Sequence, residues 1–175
     1  AMIDALPYLA SYPYGCTEQT LNRFVPTTVV HHILKDLGHD LAAIKDKRSN
    51  LNPQKIGDPK ERAKDWQPKG ANWNPVWDEA EVLKMERAGI AKLRDQQNPD
   101  GGWGWFSAYG NHSYPHTTAV VMHGLLLARD NGVKIPGDMI ERGLAWLAKH
   151  EEVEVDKIAN WKKRDKNTKQ KADSM

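Results

Sequence analysis

Apolar residues recur at intervals of three and four along most of the chain, a spacing that predicts amphipathic helices. The clearest run extends from Asp78, which can cap a helix, to Gln97, with Val82, Met85 and Leu93 on one face. The predicted helices cover residues 1–12, 17–25, 27–37, 78–97, 116–130 and 139–150. No stretch alternates as a strand does, so the sequence predicts an all-α fold. Helix, polar turn and helix recur at a spacing of about forty residues, which is typical of stacked helical hairpins.

Prolines and glycines set the predicted helix ends. Pro7 is expected to end or kink the first helix, and Pro26 to separate the second helix from the third. Gly38 is expected to form the C-cap that closes the third helix.

Two charged segments interrupt the helical pattern. Residues 41–74 mix charged side chains with proline and glycine, which predicts a surface insertion that begins with a short helical stretch and is anchored by Trp66, Trp73 and Trp77. After residue 151 the chain is strongly charged, and we expect a charged tail with a thin apolar helical face at its start. The residues of that face are Val153, Val155, Ile158 and Trp161.

Composition and charge narrow the function classes. A chain of 175 residues with 39% hydrophobic and 27% charged residues is expected to form a single domain, 1–175. The net charge of +2 gives no reason to expect a nucleic-acid partner. No apolar run approaches the roughly eighteen residues of a membrane span, and the chain starts inside an amphipathic pattern, as a fragment would. The single cysteine excludes a disulfide within the chain and gives no zinc-type cysteine pair, so neither metal nor cofactor is expected.

The candidate chemistry lies around that cysteine. Tyr14 and Gly15 form part of a turn before Cys16, and Glu18 and Gln19 follow it within one helical turn. The i to i+3 spacing places the thiol of Cys16 and the carboxamide of Gln19 on one face at a helix start, where a thiolate is favoured. Attack of the sulfur on the carboxamide, with loss of ammonia, would give an internal thioester.

Two other interpretations of Cys16 remain open at this point. A lone cysteine is commonly a small buried apolar residue without reactivity. A cysteine protease would need a histidine base, and His31 and His32 lie in the next predicted helix without a diagnostic spacing.

The run Tyr14-Gly15-Cys16-Thr17-Glu18-Gln19 closely resembles the thioester motif of the alpha-2-macroglobulin and complement family, in its bacterial form. Thr17 stands where the family usually has glycine, but it is neither of the reacting groups. The resemblance implies that Cys16 and Gln19 form the thioester and that Tyr14, Gly15 and Glu18 support the motif.

A second motif points to the same family. The run from Gln97 to Gly104 resembles the Gln…Asp-Gly-Gly-Trp-Gly signature of α/α toroids, an architecture of helical hairpins shared with terpenoid cyclases and protein prenyltransferases. The signature is structural, since it concerns a tight turn and a packed indole. Its residues are Asp100, Gly101, Gly102, Trp103 and Gly104. Family thioester domains are about twice as long as this chain, so the resemblance implies a partial toroid.

The resemblance implies a protease-trapping inhibitor, not an enzyme. Its thioester would acylate a lysine amine of a target protease, and its partners would be proteases and the other domains of a longer protein. Aromatic residues of the Tyr12–Tyr14 turn and of the Asp100–Phe106 turn are expected to help shield the bond. The implied location is the periplasm, cell envelope or exterior. His112, His116 and His123 are expected to be surface histidines, without a transferred catalytic role.

Two alternatives come from other classes of protein. A toroid enzyme of the terpenoid cyclase or prenyltransferase type would need an aspartate-rich cluster or zinc ligands, and the sequence offers neither. A helical interaction module with an inactive motif would carry the same residues without forming the thioester.

Overall fold

The computed structural model describes residues 2–12, 15–47, 73–106 and 112–161. These ranges contain six α-helices and one short 3-10 helix. The helices are α1 (Met2–Ser11), α2 (Thr17–Asp36), α3 (Leu41–Lys47), α4 (Glu79–Gln96), α5 (Pro115–Asp130) and α6 (Gly137–Asn160), and the 3-10 helix is Pro75–Trp77. Within these ranges there is no β-strand, only an isolated antiparallel bridge between Gln97 and Trp103. The predicted all-α class is confirmed.

Helix α2 lies at the centre of the packing. It contacts α1, α4, α5 and the 3-10 helix, while α6 packs on α5. Because α2 has neighbours on several sides, its buried residues are not confined to one apolar stripe and include several threonines. The core between the helices is formed by Leu21, Phe24, Val25, Leu93, Trp103, Val121, Met122, Leu125, Ala128, Val133, Met139 and Ile140.

Two glycines allow the neighbouring helices to approach α2 closely. A Cβ at Gly89 of α4 would overlap the ring of Phe24, and a Cβ at Gly124 of α5 would lie 2.7 Å from Leu21 Cδ2. The side chains of α2 therefore pack directly on the backbones of α4 and α5, which fixes the position of α2, and so of Cys16 at its start.

Pro7 does not end α1, since the helix continues to Ser11. A proline in a helix leaves the carbonyl four residues earlier without its usual donor. In α1 that carbonyl belongs to Ile3, and the side-chain amide of Asn74 donates to it at 2.9 Å. A residue distant in sequence thus replaces the missing bond.

The predicted break at Pro26 is also wrong, because α2 runs unbroken from Thr17 to Asp36. The carbonyl that loses its donor belongs to Asn22, an exposed residue. Burial of α2 against three other helices outweighs the proline penalty of about 3 kcal/mol.

Other helix ends agree with the sequence or extend beyond it. Asp78 caps α4, since its carboxylate accepts from the amides of Ala80 and Glu81. Gly38 follows the end of α2 with a φ of +71°, as a C-cap glycine does. Helix α6 continues past residue 151 to Asn160, so most of the predicted helical face of the tail belongs to α6, with Val153, Val155 and Ile158 exposed.

The predicted insertion is described only at its ends. Residues 41–47 form α3, in agreement with the predicted helical stretch, and the 3-10 helix at Pro75–Trp77 packs its buried Val76 against the helices. Residues 48–72 and 162–175, including Trp66 and most of the predicted tail, lie outside the described residues. No helix in the described ranges is long and apolar enough to cross a membrane.

Candidate functional site

Cys16 and Gln19 form a reciprocal capping box at the start of α2. Cys16 is the N-cap, and its sulfur accepts a hydrogen bond from the backbone amide of Gln19 with an N···Sγ distance of 3.5 Å. The backbone amide of Cys16 donates in return to Gln19 Oε1 at 3.2 Å. In a capping box each side chain accepts from the backbone amide of the other residue, so the thiol and the carboxamide lie at the same helix start. The structure therefore brings the two predicted reacting groups together.

Two of these contacts bear on how sulfur could attack the amide. The carbonyl oxygen of Gln19 becomes an oxyanion when sulfur adds to the carbon, and the Cys16 N–H already points at that oxygen. The Gln19 N–H donates to the sulfur of Cys16, which lies at the positive end of the helix. Both charges that develop during acyl transfer thus face backbone amides of the first turn.

The positively charged side chain of Arg23 follows Cys16 on the same helix. Arg23 lies seven residues after Cys16 on α2, hence two turns along the same face. Burial lowers the pKa of the Arg23 guanidinium, and the attraction of a Cys16 thiolate acts in the opposite direction.

The two sequence motifs meet at Thr17. Its backbone amide donates to the carbonyl of Trp105 at 2.9 Å, and its hydroxyl donates to the carbonyl of Gly104 at 2.7 Å. Thr17 is fully buried. Thr17 therefore attaches the start of α2 to the turn between α4 and α5.

That turn is held by the carboxylate of Asp100. Its oxygens accept from the amide of Gly102 at 3.1 Å, the hydroxyl of Ser113 at 2.7 Å and the indole of Trp146 at 2.9 Å. Ser113 in turn accepts from the side-chain amide of Asn98 at 2.8 Å. Asp100 thus stabilises the turn and joins it to α6.

The glycines of the turn are required by close approach. Gly101 has a φ of +99°, and a Cβ there would lie 2.6 Å from the carbonyl oxygen of Arg142. A Cβ at Gly102 would lie 2.6 Å from Ser113 Cβ. Gln97 closes the turn from the other side, since its side-chain amide donates to the carbonyls of Gly101 and Met139.

Replacing Asp100 with asparagine is expected to reduce the loss of unfolding free energy that the protein shows when the pH falls from 7 to 3. Burial acts to raise the pKa of Asp100, but the hydrogen bonds from Ser113, Gly102 and Trp146 outweigh it and lower the pKa below the ordinary value. A lowered folded-state pKa contributes stability above about pH 4, and this is lost as the pH falls through the folded-state value.

Urea unfolding at pH 7 and at pH 3 measures the effect. The unfolding free energy of the unchanged protein should fall more between the two pH values than that of Asp100→Asn. Asp95→Asn, which changes an exposed aspartate of α4, is the matched control. Equal losses in the unchanged protein and Asp100→Asn would contradict the assigned role of Asp100.

The remaining predicted residues of the site differ in their environment. Gly15 and Glu18 are exposed, Cys16 is half-buried, and Tyr14 lies outside the described residues. The side chains of Trp105 and Phe106 are 54% and 60% exposed beside the start of α2. The expected shielding of Cys16 by these rings is therefore not provided by the described residues alone.

His31 does not form a protease-like pair with Cys16. His31 lies fifteen residues along the same helix, roughly 22 Å from the N-cap, and its Nδ1 donates to the carbonyl of Val76. His112, His116 and His123 are all exposed, as expected. No group of three possible metal-ligating side chains occurs among the residues that the structure describes.

Three residues around Cys16 have positions that the sequence motifs did not indicate. Thr17 was a departure from the family pattern, Gln96 precedes the signature's glutamine, and Arg23 lies beyond the motif. Of the three, only Arg23 could have been placed from the sequence, because it lies seven residues after Cys16 on the same predicted helix. The contacts of Thr17 and Gln96 are with residues more than eighty positions away.

A curated protein confirms the resemblance to alpha-2-macroglobulin-like proteins. The chain is 29% identical over 147 residues to the Alpha-2-macroglobulin of Thermotoga maritima. The alignment covers 84% of this chain but 7% of that protein, so the chain spans a small part of the relative's length. No protein-family model and no solved structure matches the chain.

Proposed function

We propose that this chain is the thioester-bearing part of a protease-trapping inhibitor of the alpha-2-macroglobulin type. The observation that carries the proposal is the capping box, in which the thiol of Cys16 and the carboxamide of Gln19 are held together by reciprocal hydrogen bonds. The similarity to an alpha-2-macroglobulin over 84% of the chain supports it.

Thioester formation needs only the two side chains of the box. The sulfur of Cys16 forms a bond to Gln19 Cδ, the Cδ–N bond breaks, and the thiol proton leaves with the amide nitrogen as ammonia. The Cys16 N–H stabilises the oxyanion formed between these steps.

Capture reverses the direction of acyl transfer. A lysine amine of the target protease attacks Gln19 Cδ, the Cδ–Sγ bond breaks, and the amine proton passes to the sulfur. The products are an amide cross-link and the free Cys16 thiol, so each molecule reacts once and the protein is an inhibitor instead of an enzyme.

The rest of a longer protein completes this function. The chain corresponds to 7% of its relative, and we assign to the remaining domains the bait that a protease cleaves and part of the shield over Cys16. The helical hairpins are proposed to form part of an α/α toroid. A protein that traps proteases acts outside the cytoplasm, in the periplasm, cell envelope or exterior.

Intact-mass spectrometry tests the proposal directly. A formed thioester makes the protein lighter than its sequence mass by one ammonia, about 17 Da, and methylamine should add across the bond and release a thiol. A thiol assay before and after methylamine gives the second readout, with rising thiol expected.

The test should be run on this chain and on the longest soluble form of the protein that contains it. A full sequence mass in both, with Cys16 labelled by iodoacetamide before any amine is added, would contradict the proposal. It would favour a helical interaction module with an inactive motif.

A further inference from the structure

Gln96 connects the end of α4 to the turn that precedes Cys16. It is the last residue of α4, its side chain is 1% exposed, and its Nε2 donates to the carbonyl oxygen of Gly15 at 2.9 Å. The direction of this bond is fixed because a backbone carbonyl can only accept. The mechanism described above gives this buried amide no role.

The hydrogen bond from Gln96 affects the Cys16 N–H because the Gly15–Cys16 peptide is rigid. The carbonyl of Gly15 and the N–H of Cys16 belong to the same planar peptide and point in opposite directions. Gln96 holds one side of that peptide, and the other side donates to Gln19 Oε1 at 3.2 Å. Fixing the carbonyl therefore fixes the direction of the N–H that faces the developing oxyanion.

Gly15 makes such external support necessary. It has no side chain, a Cβ built on it would have no neighbour within 4 Å, and the residue is exposed. Its backbone is thus poorly restrained by packing or sterics. A donor on its carbonyl also polarises the peptide, which makes the Cys16 N–H a stronger donor.

The cost of burying Gln96 indicates a role beyond stability. Its Oε1 is buried and has no hydrogen-bond partner among the residues that the structure describes. An unmatched buried acceptor loses its bond to water without a replacement, a cost that a methionine of similar shape would avoid. The hydrogen bond to the Gly15 carbonyl is what a glutamine provides here and a methionine does not.

We infer that Gln96 is a positioning residue for acyl transfer at Cys16, acting by orienting the Gly15–Cys16 peptide toward the carbonyl oxygen of Gln19. The inference rests on the proposed function. It applies to thioester formation and to aminolysis, since the oxyanion is at Gln19 Oε1 in both.

The experiment compares Gln96→Met with Gln97→Met. Both remove a buried glutamine at the end of α4, but the side-chain amide of Gln97 donates to the carbonyls of Gly101 and Met139 and not to that of Gly15. Mass spectrometry follows methylamine addition over time, circular dichroism checks folding, and urea unfolding measures stability.

Gln96→Met should slow aminolysis about tenfold or more with little loss of stability, because the oxyanion donor stays but is misoriented. Gln97→Met should lose stability and keep a rate within about twofold of the unchanged protein.

Amide hydrogen exchange at Cys16 gives a readout that does not need the thioester. Gln96→Met should speed exchange of the Cys16 N–H about tenfold, and Gln97→Met should not. If Gln97→Met does not fold, Arg142→Met, which removes the bond to the Asn98 carbonyl of the same turn, replaces it as control.

The outcomes separate the two proposals. An unchanged protein that never loses ammonia refutes the proposed function, and the exchange measurement then decides the role of Gln96. Gln96→Met that folds and shows unchanged aminolysis, or unchanged Cys16 exchange, overturns the inference. Equal slowing in both variants also overturns it, because the effect would then be general weakening of the turn.

Discussion

Replacing Cys16 with serine is expected to abolish covalent amine capture while the helical fold remains intact. A serine hydroxyl can still accept from the Gln19 amide as an N-cap, and it is among the preferred caps. Compared with the amine-opened unchanged protein, Cys16→Ser should be equally stable or more stable by about 0.5–1 kcal/mol. The reactive thioester is lost, because it requires sulfur.

Three measurements check this expectation. Mass spectrometry should show no loss of ammonia, methylamine should add nothing, and the circular dichroism spectrum should stay helical. Gln19→Glu is the matched control on the acyl side, since its carboxylate keeps the capping acceptor but has no ammonia to lose. Methylamine incorporation into Cys16→Ser at the rate of the unchanged protein would place the reactive bond elsewhere.

Replacing Trp103 with alanine is expected to lower the free energy of unfolding by about 3–5 kcal/mol. The indole is fully buried, and its N–H donates to the carbonyl of Leu93 at 2.8 Å. Its backbone accepts from the amide of Tyr114 and donates to the hydroxyl of Thr118, so the residue joins the turn to α5. Removing the ring leaves a cavity among these elements.

Trp105 offers a matched control two residues away. Its side chain is 54% exposed, so Trp105→Ala should change the free energy of unfolding by no more than about 0.5 kcal/mol. Urea unfolding of both variants, followed by circular dichroism, gives the comparison. Comparable losses in the two would show that Trp103 is not the anchor of the turn.

Much of the helical content could be predicted from local patterns. The apolar spacing in α4, its Asp78 cap and the glycine after α2 depend on residues within one or two turns. Local chemistry of this kind acts in the same way wherever the segment lies in the fold.

The errors arose where tertiary contacts changed a local preference. Pro7 stays within α1 because Asn74 donates to the carbonyl that the proline leaves unpaired. Pro26 stays within α2 because burial among three helices outweighs its cost. Neither the contact with Asn74 nor the packing around α2 can be identified from the residues next to the prolines.

The sequence alone determined the candidate chemistry, because Cys16 and Gln19 are three residues apart and a helix start places them together whatever surrounds it. It also determined the tight turn at Asp100, through local glycines and a local carboxylate. Only the tertiary structure decided that these two motifs meet, through Thr17 and Gln96. Those contacts join residues more than eighty positions apart, and their energy exists only once α2 and α4 have packed together.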